Sequence, residues 1–273
     1  MAEAEGRRKS DWLIASPTSR LERIEARFQG HAYDMHRHDS FAIGLTLNGV
    51  QSFNYRRGYR HSLPGTVLVL HPDEPHDGHA GDARGFHYRM LYIEPALIQS
   101  ALGGQPLPFV AGGLCCEPRL ATAVQALLAS LDGALDPLEE SDGIAELADA
   151  LAANGDARRS PPKRLPDYRA AQRVRERLDA ALLDGVSLDE LEAIAGQPRW
   201  TLSRDFRALF GTSPYRYLTQ RQLALARQQI AAGTGLAEAA HAAGFADQSH
   251  MTRAFGRTYG LSPARWRGLL GTR

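Results

Sequence analysis

The pattern of apolar and polar positions divides the chain into a β-rich first half and a helical second half. Between residues 31 and 93, short apolar stretches rich in β-branched and aromatic residues alternate with turn signals such as Asn48-Gly49 and Pro64-Gly65. This pattern predicts an antiparallel β-barrel or β-sandwich. The predicted strands are Phe41–Leu47, Val50–Tyr55, Thr66–Leu70 and Phe86–Ile93.

Two stretches with helical spacing follow the predicted strands. Residues 118–132 place Val124 and several leucines on one stripe, and Ile144, Leu147 and Leu151 form a second stripe. Such stripes cover either the sheet of their own domain or a second copy of the chain, and the sequence leaves both open.

Apolar periodicity stops near residue 154, where glycine, proline and charged residues accumulate around Asn154-Gly155 and Pro161-Pro162. This change in composition predicts a boundary between two domains. We divide the chain into an N-terminal tail and lead-in at 1–30, a β-rich domain at 31–153, a linker at 154–166 and a helical domain at 167–273.

The helical domain contains an internal repeat with an offset of 49 residues. Each copy shows the signals of a helix, a tight turn, a second helix, a glycine stop and a capped third helix. The aligned segments are Leu202-Ser203-Arg204 with Met251-Thr252-Arg253, Phe206 with Phe255, Gly211 with Gly260, and Ser213-Pro214 with Ser262-Pro263.

Local signals also predict where these helices begin and end. In the first copy, a capping box begins at Ser187 and Gly196 ends the short helix that follows. The same reasoning predicts a second helix over 199–210, a long connecting helix over 214–231 and, in the second copy, a helix over 248–259.

Two short helices joined by a turn that contains glycine are typical of a helix-turn-helix, whose second helix enters the DNA major groove. The alternative is a plain helical bundle. Charge favours the first interpretation. The chain carries a net charge of +1, but residues 1–156 carry a net −8 and residues 157–273 a net +9. A basic domain joined to an acidic one indicates a polyanionic partner such as nucleic acid.

Three motifs in the second half are specific: Arg227-Gln228-Gln229-Ile230, the run from Ala240 to Phe255, and Gly260-Leu261-Ser262-Pro263. They resemble the tandem helix-turn-helix domain of AraC/XylS-type transcription regulators. The resemblance covers residues 170–267 and implies two reading helices, one starting near Arg199 and the other near Asp247.

The resemblance and the helical spacing together place double-stranded DNA against exposed positions of both reading helices. These positions are Trp200, Ser203, Arg204, Arg207, Gln248, Ser249, His250 and Arg253. The first copy departs from the family pattern, because Glu192 stands where an alanine is usual and Pro198 where a serine cap is usual. We therefore expect the second copy to contribute more to DNA affinity.

Eight of the ten histidines lie before residue 100. His36-Arg37-His38, Pro64-Gly65 and Pro72-Asp73-Glu74-Pro75-His76 resemble the cupin-type effector domain of AraC-type regulators. The resemblance implies a two-domain α+β protein, with an antiparallel cupin-like β-barrel and following helices, then an all-α tandem helix-turn-helix. The candidates for contact with a small-molecule effector at the barrel mouth are His36, His38, His76, Tyr55 and Tyr88.

The same histidines raise the question of a metal ion. His36 and His38 project to one face of a strand, and His76 could complete a site of three imidazoles. Metal-binding cupins, however, place a glutamate a few residues after the second histidine, where this chain has residues 40–43, and Asp39 is too close in sequence to replace it. The sequence therefore favours an organic effector or structural histidines, and we expect no metal, no cofactor and no catalytic residue.

The sequence thus predicts a sequence-specific transcription regulator controlled by a small-molecule effector. The alternative is a metal-dependent cupin enzyme, such as a dioxygenase or isomerase, with an accessory helical domain. No apolar run reaches the roughly 18 residues that span a bilayer, and the N-terminus lacks the apolar core of a secretory signal, so we expect a cytoplasmic protein without membrane contact. Further expected partners are RNA polymerase, with activation as the mode of action, and a second copy of the chain bound through residues 118–153.

Overall fold

The computed structural model describes residues 11–16, 20–155 and 164–270. In these residues the first half folds into two facing antiparallel sheets, with strand orders β1-β2-β9-β4-β7-β10 and β3-β8-β5-β6. The arrangement is a cupin-like β-sandwich, the second of the two architectures that the sequence predicts. The strands are β1 (Trp12–Ala15), β2 (Leu21–Phe28), β3 (His31–His36), β4 (Phe41–Gly49), β5 (Gln51–Tyr55), β6 (Gly58–Ser62), β7 (Val67–Leu70), β8 (His76–Ala80), β9 (Phe86–Ile93) and β10 (Leu114–Cys115).

Both faces of the larger sheet are buried. Alternate residues of β9, such as Phe86 and Tyr88, point between the two sheets, whereas Leu91 and Ile93 point to the outer face. Helices α1 (Pro95–Ala101), α2 (Pro118–Leu127) and α3 (Pro137–Ala153) follow the strands, and α2 and α3 pack on that outer face. The two helical stripes predicted from the sequence therefore cover the sheet of their own domain.

The sheet also includes β1 and β2, in a segment for which the sequence predicts only a tail and lead-in. β2 pairs with β9 along its whole length. The buried guanidinium of Arg23 donates hydrogen bonds to the carbonyls of Ser130 and Gly133, 2.5 Å away in each case, just beyond the C-terminus of α2. A cation is favourable there because the helix dipole is negative at its C-terminus.

The second half is helical, and its boundaries agree with the local signals in the sequence. Gly196, Gly211 and Gly260 follow the ends of three helices with φ of 66°, 73° and 66°, a left-handed conformation that glycine adopts without strain. The helices are α4 (Tyr168–Ala180), α5 (Leu188–Ala195), α6 (Arg199–Phe210), α7 (Pro214–Ala231), α8 (Leu236–Ala242), α9 (Gln248–Tyr259) and α10 (Pro263–Leu269). Among the described residues, every helix is too short or too polar to cross a bilayer.

The two copies of the repeat lie in different hydrophobic cores. The first copy, α5 and α6, packs with α4 around Val174 and Phe206. The second copy, α8 to α10, shares one core with α7 and the interior of the sandwich, where Leu223 and Ile230 join Ile24 and other sheet residues. We call this contact of α7, α9 and α10 with the sandwich the interdomain interface.

Candidate functional site

A cavity of about 200 Å³ lies at the interdomain interface, between one end of the sandwich and α7. Its aromatic lining includes Tyr33, Tyr92, Tyr259 and Trp266, and its polar lining comes from both domains. Six charged side chains are part of that polar lining, so the cavity is more polar than the usual small-molecule site, which is apolar with a few placed polar groups. We call it the interdomain cavity.

His36 and His38 line the interdomain cavity, and the sheet register brings His76 beside them. β3 and β8 are antiparallel neighbours, and His36 is paired directly with His76. The ring centroids of His76 and His36 are 4.2 Å apart, and those of His76 and His38 are 4.8 Å apart. The structure thus brings together the three histidines that the sequence analysis selected.

Each of the three imidazoles is held by a backbone carbonyl. Nδ1 of His36 lies 2.8 Å from the carbonyl oxygen of Asp34, and Nδ1 of His38 lies 2.8 Å from that of Ser40. Nδ1 of His76 lies 2.9 Å from the carbonyl oxygen of Glu74. A carbonyl oxygen can only accept, so Nδ1 carries the proton in each ring and Nε2 of the neutral ring keeps its lone pair.

Burial keeps these rings neutral. It lowers the pKa of His36 to about 4 and the pKa of His38 to about 3, and it lowers the pKa of His76 as well. Neutral imidazoles can accept a hydrogen bond or bind a metal ion, and they offer no positive charge to an anion at neutral pH.

The two tyrosines selected from the sequence lie away from the interdomain cavity. The hydroxyl of Tyr55 is hydrogen-bonded to Nδ1 of His71 at 2.6 Å inside the sandwich core. The hydroxyl of Tyr88 is 2.6 Å from that of Tyr33, which does line the cavity. The sequence could not show whether these tyrosines line the cavity, because alternation along a strand shows which residues share a face but not which end of the sandwich they approach.

Three arginines of α7 complete the interdomain interface, and sequence reasoning missed them. Arg221 is paired with Asp39, at 3.1 Å, and with Glu94. In the same way Arg227 is paired with Glu22, and Arg216 with Asp73. Their partners are more than 120 residues away in sequence, so no local pattern indicates the pairing.

Two of these pairs hold their arginines firmly in the charged form. Burial by itself lowers the pKa of Arg221 and Arg227, but the carboxylates beside them outweigh that effect and raise both above the usual range. Asp39, which the sequence analysis considered as a metal ligand, is directed to Arg221 instead. Part of the charge asymmetry between the two halves therefore acts between the domains, and only the remainder is available to nucleic acid.

The candidate DNA-binding residues of α6 lie mostly on an open surface. Trp200 is 77% exposed, and Arg204 and Arg207 are exposed as well. Ser203 is half-buried and its hydroxyl accepts a hydrogen bond from Arg207 at 2.7 Å. Four side chains thus remain on one side of α6, opposite the buried Phe206.

On α9, Gln248, Ser249 and Arg253 are exposed. His250 differs from them, since its ring is half-buried, lies edge-on to Phe245 at 5.3 Å and borders a groove against the sandwich. The structure therefore gives His250 a packing role on the side that faces the sandwich.

The first copy compensates for its missing serine cap. Pro198 has no side chain that can accept a hydrogen bond, but Glu192 of α5 reaches the start of α6 and accepts one from the backbone amide of Arg199 at 2.6 Å. The Arg199 side chain also donates to Glu192 at 2.7 Å. The two departures from the family pattern are thus coupled, because the unusual glutamate caps the helix that the unusual proline leaves uncapped.

Comparison with known proteins agrees with this architecture. Family models for an AraC-like ligand binding domain and a helix-turn-helix domain match residues 19–148 and 191–268. The chain is 26% identical over 238 residues to the uncharacterized HTH-type transcriptional regulator YbfI of Bacillus subtilis, over 84% of this chain and 86% of that protein.

The fold is similar to that of ToxT from Vibrio cholerae, with a TM-score of 0.67 and 10% identity, over 92% of this chain and 99% of that one. ToxT bound to an unsaturated fatty acid gives a TM-score of 0.63 at 11% identity, over 96% of this chain and 95% of that one. At this identity the likeness shows the fold alone.

The fold, the duplicated helix-turn-helix and the matched regions define a two-domain DNA-binding regulator with an N-terminal ligand-binding domain. The chain belongs to the AraC-type transcription regulators, as the sequence motifs predict. The comparisons favour this function over a metal-dependent cupin enzyme.

Proposed function

We propose that the interdomain cavity receives the effector and that its occupancy changes how the two reading helices meet DNA. The supporting observation is that one cavity is lined by His36 and His38 of the sandwich and by Arg221 and Arg227 of α7, the helix that connects the two copies. A molecule that contacts both the sandwich and α7 binds with a different affinity when these two walls of the cavity move apart. Such a difference in affinity between two arrangements is what allosteric control requires.

The size and lining of the cavity indicate the class of effector. Its volume of about 200 Å³ is below the roughly 300–1,000 Å³ of sites for drug-sized ligands. Tyrosine hydroxyls, neutral histidines and apolar rings suit a small, partly aromatic or aliphatic molecule with a polar group. ToxT bound to an unsaturated fatty acid supports the idea that a protein of this fold accommodates an organic molecule.

The effector proposal is tested by filling the cavity. Ala224 of α7 lines it, so Ala224→Phe should occupy part of the space. In a footprint on upstream DNA with and without candidate metabolites, we expect this variant to bind DNA within about twofold of the wild type and to ignore the effector. Ala231→Phe, exposed at the end of the same helix, is the matched control and should respond normally. A normal response by Ala224→Phe would place the effector elsewhere.

For DNA contact we propose Trp200, Ser203, Arg204 and Arg207 of α6, and the set Gln248, Ser249, His250 and Arg253 of α9. The exposure of both helices supports the set, with His250 as its weakest member because of its half-buried ring. Arg204 and Arg253 occupy equivalent positions of the repeat, where an arginine can pair with guanine or hold a phosphate.

Substitution of these two arginines tests the DNA-binding surface. Arg204→Ala and Arg253→Ala should each weaken binding by on the order of 1–3 kcal/mol, with the larger loss at Arg253. Loss of a base contact relaxes the preference for one base at one position of the DNA site. Loss of a phosphate contact weakens binding to all DNA sequences and lowers by about one the slope of log affinity against log salt concentration. Arg119→Ala, an exposed arginine of α2, serves as the control. Specific binding by the double variant would contradict the assignment.

We propose that the regulator acts in the cytoplasm, where DNA and RNA polymerase are found, and that polymerase is its partner in activation. A homodimer through residues 118–153 would have to use the outward, charged faces of α2 and α3, since their apolar stripes are buried against their own sheet.

A further inference from the structure

The hairpin between β5 and β6 turns on two arginines in an unfavourable backbone conformation. Tyr55 pairs with Gly58, so the turn consists of Arg56 and Arg57, whose φ angles are 46° and 63°. A two-residue turn with positive φ at both positions usually contains Asn-Gly, because these residues tolerate that conformation better than others. Strained backbone of this kind is concentrated at functional sites, so the two arginines call for a functional explanation.

The turn belongs to a basic patch on the acidic part of the chain, residues 1–156, which carries a net −8. Arg56, Arg57 and Arg60 line an open groove beside the exposed Met35. Among the described residues, the carboxylate paired with this group is that of Glu74, 3.4 Å from Arg56. Arg57 is exposed, and the hydrogen bonds of the Arg60 guanidinium go to backbone carbonyls. The positive charge of the patch is therefore only partly compensated within the chain.

This groove continues into the groove that His250 borders. Met35 and Pro75 line both grooves, and Arg257 of α9 lines the second one. Arg257 is exposed and lies one helical turn from Arg253, a proposed DNA contact. The basic patch of the sandwich is thus connected by one continuous surface to the second reading helix.

We propose that this surface binds the phosphate backbone of duplex DNA next to the segment that α9 reads. Its cationic members are Arg37, Arg56, Arg57 and Arg60 of the sandwich and Arg257 of α9, and we call them the basic surface. Arg37 contributes because its side chain is 44% exposed and its carboxylate partner, Asp73, is as far as 3.9 Å away. The proposal rests on the proposed role of α9 and extends the DNA contact to the ligand-binding domain.

The arrangement of the arginines favours a polyanion over a small anion. A small anion is held by donors that converge on one point, whereas these guanidiniums are spread over two grooves and two domains. Duplex DNA offers phosphates at regular spacing, and the planar guanidinium group of arginine matches phosphate geometry. Contacts of this kind add affinity and orientation but read no base, so the sandwich would strengthen binding without changing the sequence preference.

The test compares two duplexes bound by the full chain. The block read by α9 is the one whose protection Arg253→Ala weakens. One duplex ends at its outer edge, and the other continues by about 10 base pairs, one helical turn. Wild type should bind the longer duplex more tightly, by on the order of tenfold, and Arg57→Gln with Arg60→Gln should lose that gain. On the longer duplex the same variant should lower by about two the slope of log affinity against log salt concentration.

The matched control is Arg84→Gln with Arg119→Gln, which removes the same charge from two other exposed arginines of the ligand-binding domain. It should keep the gain from the longer duplex. Equal gains in the Arg57 and Arg60 variant and in wild type would overturn the basic surface, and so would an equal loss on both duplexes. The proposed function stands in either case if Arg253→Ala still weakens specific binding. Wild type that binds no upstream DNA specifically would overturn both.

The turn also offers a variant that should fold better than wild type. Arg56→Asn with Arg57→Gly supplies the residues that this turn favours. We expect its melting temperature to rise by about 2–4 °C, while the salt slope on the longer duplex falls by about two. A more stable variant with an unchanged salt slope would overturn the role of these two arginines. Loss of the effector response with DNA binding unchanged would assign the groove to a small anionic ligand instead.

Discussion

At the scale of single residues, Glu192 shows how a departure from a family pattern acquires a function. Its carboxylate accepts a hydrogen bond from the amide of Arg199 at the N-terminus of α6, and the side chain of Pro198, at the capping position, cannot accept one. In the second copy, the residue equivalent to Pro198 is Asp247, and its carboxylate accepts from the amide of His250 at 2.6 Å. Both reading helices therefore begin on a carboxylate, supplied by different residues, and each carboxylate is favourable at the positive end of a helix dipole.

We expect Glu192→Ala to lower the melting temperature at neutral pH and to weaken binding at the DNA half-site read by α6. Its hydrogen bonds with Arg199 hold the pKa of Glu192 below the usual 4.5. A lowered folded-state pKa gives stability that is present above the unfolded pKa and is lost as pH falls through the folded value. The difference from wild type in thermal melts should therefore shrink as pH falls below about 4.5.

Glu238→Ala provides the comparison, since Glu238 is an exposed acidic residue in the first turn of α8. It should change the melting temperature little at any pH. Equal effects of the two substitutions, or a deficit in Glu192→Ala that stays constant down to pH 3, would show that the cap contributes nothing.

At the scale of elements, α7 performs two tasks. It connects the two copies of the helix-turn-helix, and Arg216, Arg221 and Arg227 along it meet carboxylates of the sandwich. Because a buried ion pair is costly to break from one side, Arg221 and Arg227 hold the domains in one arrangement, whereas Arg216, whose side chain is 41% exposed, contributes less.

Arg227→Gln should destabilise the folded chain by on the order of 2–3 kcal/mol in urea unfolding. This is below the about 3–5 kcal/mol of a fully buried pair, because both Arg227 and Glu22 are 19% exposed. Removing both partners, with Arg227→Gln and Glu22→Gln together, should cost less than the sum of the single changes. Arg119→Gln breaks only exposed pairs and should change stability by about 0–1 kcal/mol. Strict additivity at Arg227 and Glu22 would argue against a coupled pair.

The same scale shows what the sequence can and cannot predict. Strand β9 and helices α6, α7 and α9 were predictable because their limits are set by neighbours in the chain: turns, capping residues and glycines in left-handed conformation. Strand β2 was missed since Arg23 and Glu25 are buried on one of its faces, which leaves only the short alternation of Ile24, Ala26 and Phe28 as a strand signal. Burial of those charges depends on α2 and β9, far away in the sequence.

The site was predictable to a similar extent. The histidines converge because His36 ends β3, His38 follows it by two residues, and His76 begins the neighbouring β8, a convergence that motif spacing indicated. The wall formed by α7 depends on how two domains pack, and no periodicity within either domain encodes that contact.

At the scale of the whole molecule, one chain presents two reading helices joined by α7, whose 18 residues span about 27 Å. Successive major grooves on one face of DNA are about 34 Å apart. We therefore expect a single chain to protect two blocks about one helical turn apart, in a footprint made at protein concentrations where the chain is monomeric. One protected block per chain would rule out tandem reading.

The shared core of the sandwich and the second copy also limits how such proteins recombine. In a regulator whose ligand-binding and DNA-binding domains pack independently, either domain can be exchanged without loss of core contacts. Here Leu223, Ala226 and Ile230 of the DNA-binding domain complete the interior of the sandwich. A chimera that joins this sandwich at the linker to the DNA-binding domain of another regulator loses two ion pairs between the domains, Arg227 with Glu22 and Arg221 with Asp39. Sensor and output in this chain are therefore packed as one unit, and, on the proposed role of the cavity, a new effector specificity would require substitution within it.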